Sequence, residues 1–322
     1  MSTRREFITN TTAAAAGAAA FGLTGNASVA QAANDPQKDR KFWPNDARLV
    51  ISISTQFEAG GQPAFGVESP FSGNPLPDGI PDLPARTWFS YGYNEGIPRL
   101  LDLWDKHGVK VTSHMVGAAV EKNPQLAKEM VERGHEAAAH GMAWDDQFDM
   151  SRDEELKFVR AGVEAVKKAT GETPVGYNCN WLRRSVNTLS VLQELGLTYH
   201  IDDLSRDEPF TVPVNGRPFC IVPYTLRCND IALIEGRHFS SQQFGQQIKD
   251  EFDQLYSEAD NRRRMMSIST HDRIGGTPAI VHVLDEFLKY AKGHEGVAFM
   301  RKKEIAEFAL KSDLTIHEKQ EQ

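Results

Sequence analysis

The sequence predicts an α/β fold built on a parallel sheet, closed or open, and three observations carry that expectation. Short β-rich runs alternate with amphipathic stretches along almost the whole chain beyond residue 46, which is the pattern of repeated strand–helix units. No internal repeat is visible. Polar residues gather just past the ends of the apolar runs, where parallel α/β sheets carry their chemistry.

Taking the elements in order, residues 1–32 read as a leader and are set aside from the fold. A twin-arginine pattern, Thr3-Arg4-Arg5-Glu6-Phe7-Ile8, precedes a mild apolar run over 12–23 and the small-residue site Ala30-Gln31-Ala32. The expected location is therefore periplasmic or secreted. Residues 33–46 read as a polar linker, 47–312 as the folded domain and 313–322 as a polar tail. Residues 49–54 form the first strand and end in the turn-rich Glu58-Ala59-Gly60-Gly61. The Pro/Gly stretch from there to Arg86 is too long for a plain connector and reads as a functional loop. Ile97, Leu100, Leu101 and Trp104 fall on one helical face, with Pro98 in the first turn. A strand over 109–116 follows, then a helix entered at Asn123-Pro124 and a short buried strand at 137–139. Ser151 and Glu154 make a capping box for a helix whose apolar face is Leu156, Val159, Val163 and Val166. Further strands are expected at 174–178, 197–201, 218–224, 231–234, 265–270 and 297–300, and further helices near 186–195, 240–257, 279–291 and 303–311.

Composition narrows the function. The 322 residues suffice to bury a core without disulfides or structural metal. Lys and Arg number 36 against 44 Asp and Glu, a net charge of −8, which disfavours nucleic-acid binding through bulk charge. Beyond residue 32 nothing approaches the ~20 apolar residues of a membrane span. Cys179, Cys220 and Cys228 show no CxxC spacing; Cys220 and Cys228 flank a strand and could pair, although buried free thiols are the expected state.

The polar residues beyond successive strands are Gln56 and Glu58, His114, His140 with Trp144, Asp145 and Asp146, Tyr177 with Asn178 and Asn180, Asp202 and Asp203, Asn229 and Asp230, and His271-Asp272-Arg273. Each alone is an ordinary strand-end residue. Their recurrence at one end of the strands argues for a site.

Several of these residues carry a resemblance. Gly134-His135-Glu136, His140-Gly141 and His271-Asp272-Arg273-Ile274-Gly275-Gly276-Thr277-Pro278 are similar to motifs of the polysaccharide deacetylase (NodB-homology) family. So are Tyr91-Gly92, Gly96-Ile97-Pro98-Arg99, Val222-Pro223-Tyr224-Thr225 and Asn229-Asp230, in family order over residues 47–312. The resemblance implies a distorted (β/α) barrel of about seven strands and hydrolysis of a non-peptide C–N bond, usually an acetamide. The chain departs from the zinc-dependent members. Gln56 stands at their base position, Glu58 at a ligand position, and Trp144 where a second metal-binding histidine belongs. Glutamine accepts no proton and tryptophan offers no lone pair to a metal. Glu58 and His140 alone fall short of the three ligands of a catalytic zinc, so no cofactor is expected, zinc being the alternative. Gln56-Phe57-Glu58-Ala59-Gly60-Gly61 and His140-Gly141-Met142-Ala143-Trp144 resemble instead a subgroup of metal-independent allantoinases and related cyclic-amide hydrolases.

Amide hydrolysis needs an activated water, a stabilised oxyanion and a proton for the leaving nitrogen. Glu58 is the expected water activator, His271 the proton donor, Arg273 the oxyanion partner and His140 the residue that orients water or substrate. Gln56, His114, Trp144, Tyr177 and Asp202 are the expected substrate-binding residues. The leading expectation is metal-free ring opening of a small cyclic amide, ureide or imide. Its alternatives are a metal-dependent N-deacetylase of chito-oligosaccharide or peptidoglycan sugars and a non-catalytic carbohydrate-binding barrel. The expected partners are correspondingly a small-molecule amide or an N-acetyl sugar, with assembly as a homo-oligomer left open.

Overall fold

A computed structural model describes residues 42–63, 69–70, 74, 76–77 and 79–319. The expected leader and residues 33–41 of the linker lie outside the described residues. The strands are β1 (Leu49–Phe57), β2 (Thr112–Met115), β3 (Glu136–Ala139), β4 (Gly176–Tyr177), β5 (Tyr199–His200), β6 (Phe210–Val214), β7 (Arg217–Ile221), β8 (Met265–His271), β9 (Val297–Phe299) and β10 (Ile316–His317). The helices are α1 (Leu83–Tyr91), α2 (Ile97–His107), α3 (Gly117–Lys122), α4 (Pro124–Glu132), α5 (Arg152–Thr170), α6 (Thr188–Glu194), α7 (Ser241–Glu258), α8 (Asp272–Gly275), α9 (Pro278–Lys292) and α10 (Lys302–Lys311).

Seven strands run parallel in the order β7-β5-β4-β3-β2-β1-β8, with β6 and β10 added outside β7 and β9 pairing with β1. Segment 222–229 lies along β8 and joins the two ends of this array. Asn229 bridges Ser269, the Ser267 hydroxyl donates to the Pro223 carbonyl at 2.7 Å, and the Ser269 N–H donates to the Cys228 carbonyl at 3.0 Å. Strand alternation sorts the side chains into two sets. Leu49, Ile51 and Ile53 pack outward with Trp104, Phe252 and Leu284 of the surrounding helices. Ser54 and Gln56 face the other way, in register with Thr112 and His114 of β2 and with Ser269 and His271 of β8.

Helix signals act as expected. Ile97, Leu100, Leu101 and Trp104 are buried on α2, which ends at Gly108 in the left-handed region (φ 58°), a conformation costly for any residue with a Cβ. The Ser151–Glu154 capping box opens α5, and Ser240 with Gln243 does the same for α7.

Several boundaries differ from expectation. Phe42 and Trp43, assigned to the linker, are buried against Phe308, and the Trp43 indole donates to the Arg264 carbonyl at 3.0 Å. Residues 316–317, assigned to the tail, pair with β6 as β10. The last four residues of the expected long loop, 83–86, belong to α1, capped by Asp82 with Pro84 in its first turn. Residues 231–234 are not a strand but part of a π-helical turn, Ile231–Glu235. Asp230 and Asn229 take the backbone N–H groups of Ile231 and Ala232, so the turn is capped before a strand can form. The β6–β7 hairpin went unpredicted, yet its turn is Asn215-Gly216, both with positive φ, which is the pairing a type I′ turn demands. All three cysteines are free and buried, and Cys220 does not pair with Cys228.

Candidate active site

The C-terminal ends of β1, β3 and β8 converge on one buried carboxylate. Glu58 follows β1, and its Oε2 accepts from the Arg273 guanidinium at 2.8 Å. Its Oε1 lies 3.3 Å from His140 Nε2 and 3.8 Å from His271 Nε2. His140 follows β3, and the chain turns away at once through Gly141, whose φ of 69° is left-handed. His140 Nδ1 faces the Asn178 carbonyl oxygen at 2.8 Å. That oxygen only accepts, so Nδ1 carries the hydrogen and Nε2 is directed at Glu58. His271 ends β8; its Nδ1 meets Asp230 Oδ1 at 2.6 Å, and the same carboxylate takes the His271 backbone N–H.

A second buried carboxylate fixes the first. Asp272 Oδ2 accepts the backbone N–H groups of Glu58 and Ala59 at 2.8 and 2.7 Å. Gly92 and Gly96 of the π-helical turn Gly92–Gly96 let the backbone lie directly on Asp272, because a Cβ at Gly96 would collide with its carbonyl oxygen. The Arg273 guanidinium is covered by the rings of Phe89, Trp88 and Trp144, with ring centroids at 4.4, 4.9 and 5.4 Å.

These contacts separate the titrations. Burial pushes the Glu58 carboxyl up, but His271, the His140 hydrogen bond and Arg273 together outweigh it and hold the group well below the usual carboxylate range. Burial opposes charge on His271, yet the carboxylates of Asp230 and Glu58 prevail and raise its pKa. Asp272 is pushed up to about 6, mainly by burial. Ionised Glu58 thus faces an imidazole biased toward its protonated form.

Glu58, His140, His271 and Arg273 line a cavity of about 480 Å³ together with Gln56 and Trp144. Gln56 Nε2 donates to the Tyr224 hydroxyl at 2.9 Å, and that hydroxyl is also hydrogen-bonded to Ser269. Six of the nine expected residues are therefore brought together. Arg273 is almost fully buried, with its guanidinium on Glu58 Oε2. Three residues do not reach the cavity. His114 shares the inner face with Gln56 but is fully buried, and burial, then Lys302 and His140, push its pKa well below the ordinary range. Tyr177 is one residue out of phase: Gly176 shares the inner-facing register with Tyr199, while the Tyr177 hydroxyl donates to Gln147 at 2.9 Å on the α5 side. Asp202 is buried beneath the cavity wall, accepting from Asn178 Nδ2 at 2.7 Å and from the Cys179 N–H at 2.9 Å. Asp145 and Asp146 are exposed. Asp230 and Asp272 had not been assigned a role. Their signal was adjacency, since each lies beside a residue already suspected in Asn229-Asp230 and His271-Asp272-Arg273.

The site does not fit the zinc centre that the resemblance brings to mind. Glu58 Oε2 is engaged by a fixed guanidinium charge, and Trp144, at the position where the resemblance implies a second histidine, lies over that guanidinium. Among the described residues no group of three or more His, Cys, Asp or Glu is arranged to hold a metal.

A (β/α) barrel with a carboxylate, two histidines and an arginine at its C-terminal strand ends defines a hydrolase-type site. The comparisons with known proteins agree. The polysaccharide deacetylase family model matches residues 86–200. A structure described as a probable polysaccharide deacetylase from Pseudomonas aeruginosa is 30% identical, covering 85% of this chain and 94% of that one, with a TM-score of 0.79. PuuE allantoinase is also 30% identical, covering 86% and 94%, with a TM-score of 0.78. A peptidoglycan deacetylase of Helicobacter pylori is 27% identical over 67% of this chain and 84% of that protein. The chain belongs to the polysaccharide deacetylase family, hydrolases acting on C–N bonds other than peptide bonds.

Proposed function

We propose that this chain opens small cyclic amides, ureides or imides by hydrolysis, without a metal. The observation that carries the reading is the Glu58 carboxylate held by Arg273 at 2.8 Å, with two histidines at its other oxygen. A water that reaches His140 Nε2 gives its proton to that nitrogen as its oxygen bonds the amide carbon, the His140 Nδ1 hydrogen staying on the Asn178 carbonyl. The lowered pKa of Glu58 makes it a weak base, so it stays ionised and stabilises the positive charge that His140 takes up with the proton. Protonated His271 faces the developing oxyanion and passes its Nε2 proton to the ring nitrogen as the C–N bond breaks. Asp230 restores charge balance on His271 and keeps its ring in one orientation. The product is one ring-opened molecule that carries both the new carboxylic acid and the freed amine, amide or urea nitrogen. Gln56 presents one amide edge to the substrate, and Trp144 closes the wall.

The test is a side-by-side assay on hydantoin, succinimide and N-acetyl chito-oligosaccharides, with and without excess chelator. Ring opening that survives the chelator is expected. Acetate release alone, or activity lost to chelator and restored by zinc, overturns the reading.

A further inference from the structure

The floor and the mouth of the cavity differ in character. Gln56, Glu58, His140 and His271 are at most 6% exposed, whereas the outer lining is Trp181, Leu182, Leu204, Leu226, Ile231 and Ala232. Trp181, Leu204 and Leu226 are 60, 45 and 44% exposed. Large apolar side chains left facing water around a polar floor mark a binding surface. Asn180 and Glu235 are the polar residues at this outer level.

The chain holds Trp181 there at a cost. Trp181 and Leu182 take φ of 55° and 60°, the left-handed region that residues with a Cβ avoid. The segment is tied at both ends: the Leu182 N–H donates to the Cys179 carbonyl at 3.1 Å and the Arg183 N–H to the Asn180 carbonyl at 3.0 Å. Asp202 anchors its start through Cys179 and Asn178. The indole is thus presented on a bound, preorganised turn. The cavity volume of about 480 Å³ is in the range (~300–1,000 Å³) that takes drug-sized ligands, well beyond what a bare five-membered ring fills.

Resting on the ring-opening reading above, we propose that the ring carries an apolar arm, of aryl or branched-alkyl size, which packs between Trp181, Leu204 and Leu226. The preferred substrates are then hydrophobically substituted cyclic imides or amides, not sugars and not rings with polar arms. A hydroxyl-rich or ureido arm would lose water at this mouth and gain few hydrogen bonds in return.

The experiment compares kcat/KM for 2-phenylsuccinimide against succinimide, and for 5-phenylhydantoin against hydantoin and allantoin. The phenyl compounds are expected to lead by about ten-fold or more, the scale of discrimination that apolar contacts provide. Trp181→Ala should reduce the phenyl-to-parent ratio by about the same factor, and Trp181→Phe should restore most of it. Binding of 2-phenylsuccinimide to Glu58→Gln protein, read by calorimetry, should weaken in the Trp181→Ala background. Preference for allantoin or the unsubstituted rings, or a ratio unmoved by Trp181→Ala, overturns the apolar arm while ring opening stands. Absence of ring opening on every compound overturns both.

Discussion

Replacing Asp230 by Asn removes one charge from the site while nearly keeping its shape. Asp230 Oδ1 lies 2.6 Å from His271 Nδ1, and its charge is the foremost cause raising the His271 pKa against burial. Charge centres ~4 Å apart at an effective dielectric of ~20 interact by about 4 kcal/mol. The Asn oxygen still accepts one hydrogen bond but carries no charge, so the His271 pKa is expected to fall. Because protonated His271 is the proposed acid, kcat/KM declines as pH rises through its pKa. In Asp230→Asn that decline moves to lower pH. The stability sign agrees: the raised pKa contributes stability that is full below the unfolded value of ~6.5 and lost as pH rises through the folded value. The variant loses this contribution. It also turns an amide NH₂ toward a backbone donor, costing about 1–3 kcal/mol, so unfolding must be monitored in parallel. The assays are the pH profile of ring opening and histidine ring NMR on folded protein. An unmoved basic limb, with His271 titrating as before, refutes the role of the His271–Asp230 pair.

Glu58→Gln is expected to fold normally and lose roughly 10²–10⁴-fold in kcat; a folded variant with near-native kcat removes Glu58 from the chemistry. Lys302 is fully buried with its pKa lowered to about 8, chiefly by burial, so its charge opposes folding by about 3 kcal/mol at neutral pH. Lys302→Met should recover much of that in urea melts at pH ~7, with the gain shrinking from pH ~8 towards ~10 as the folded-state lysine loses its proton; no gain at neutral pH refutes this. Asp202→Ala frees the turn bearing Trp181 and should raise KM by about ten-fold while changing kcat less, a split that steady-state kinetics reads directly. Arg4→Lys with Arg5→Lys should leave an uncleaved cytoplasmic precursor, and normal processing of that variant would refute the expected export route.

Much of the barrel was legible because its elements obey strong local rules. The capping box at Ser151, the apolar face of α2 and the β-branched run of β1 each specify their structure within a few residues. What failed did so where one residue of phase or one cap decides. Tyr177 is a strand-end aromatic like any pocket liner, and only the register of a two-residue strand turns it to α5. Ile231–Ile234 has a strand's composition, but Asn229 and Asp230 cap it into a helical turn. At the site, the polar floor residues Gln56, Glu58, His140 and His271 were recoverable from their chemistry and order, whereas Trp181, Leu204 and Leu226 at the mouth are apolar loop residues with no chemical signature. Asp230 and Asp272 act through other residues, and that indirect role leaves little trace in a linear pattern.

The placement of β1 has a kinetic consequence. It is made early in the chain, yet beside β2 it takes β8 and β9, and the Thr55–Thr270 contact spans 215 residues. Loops of that length close slowly, and a chain still being synthesised holds one flank of β1 unpaired until residue 271 has emerged. An unpaired apolar strand edge is a template for intermolecular pairing. Chains truncated before β8 should therefore aggregate rather than accumulate as a partial barrel, and refolding yield should fall with protein concentration more steeply than stability alone implies.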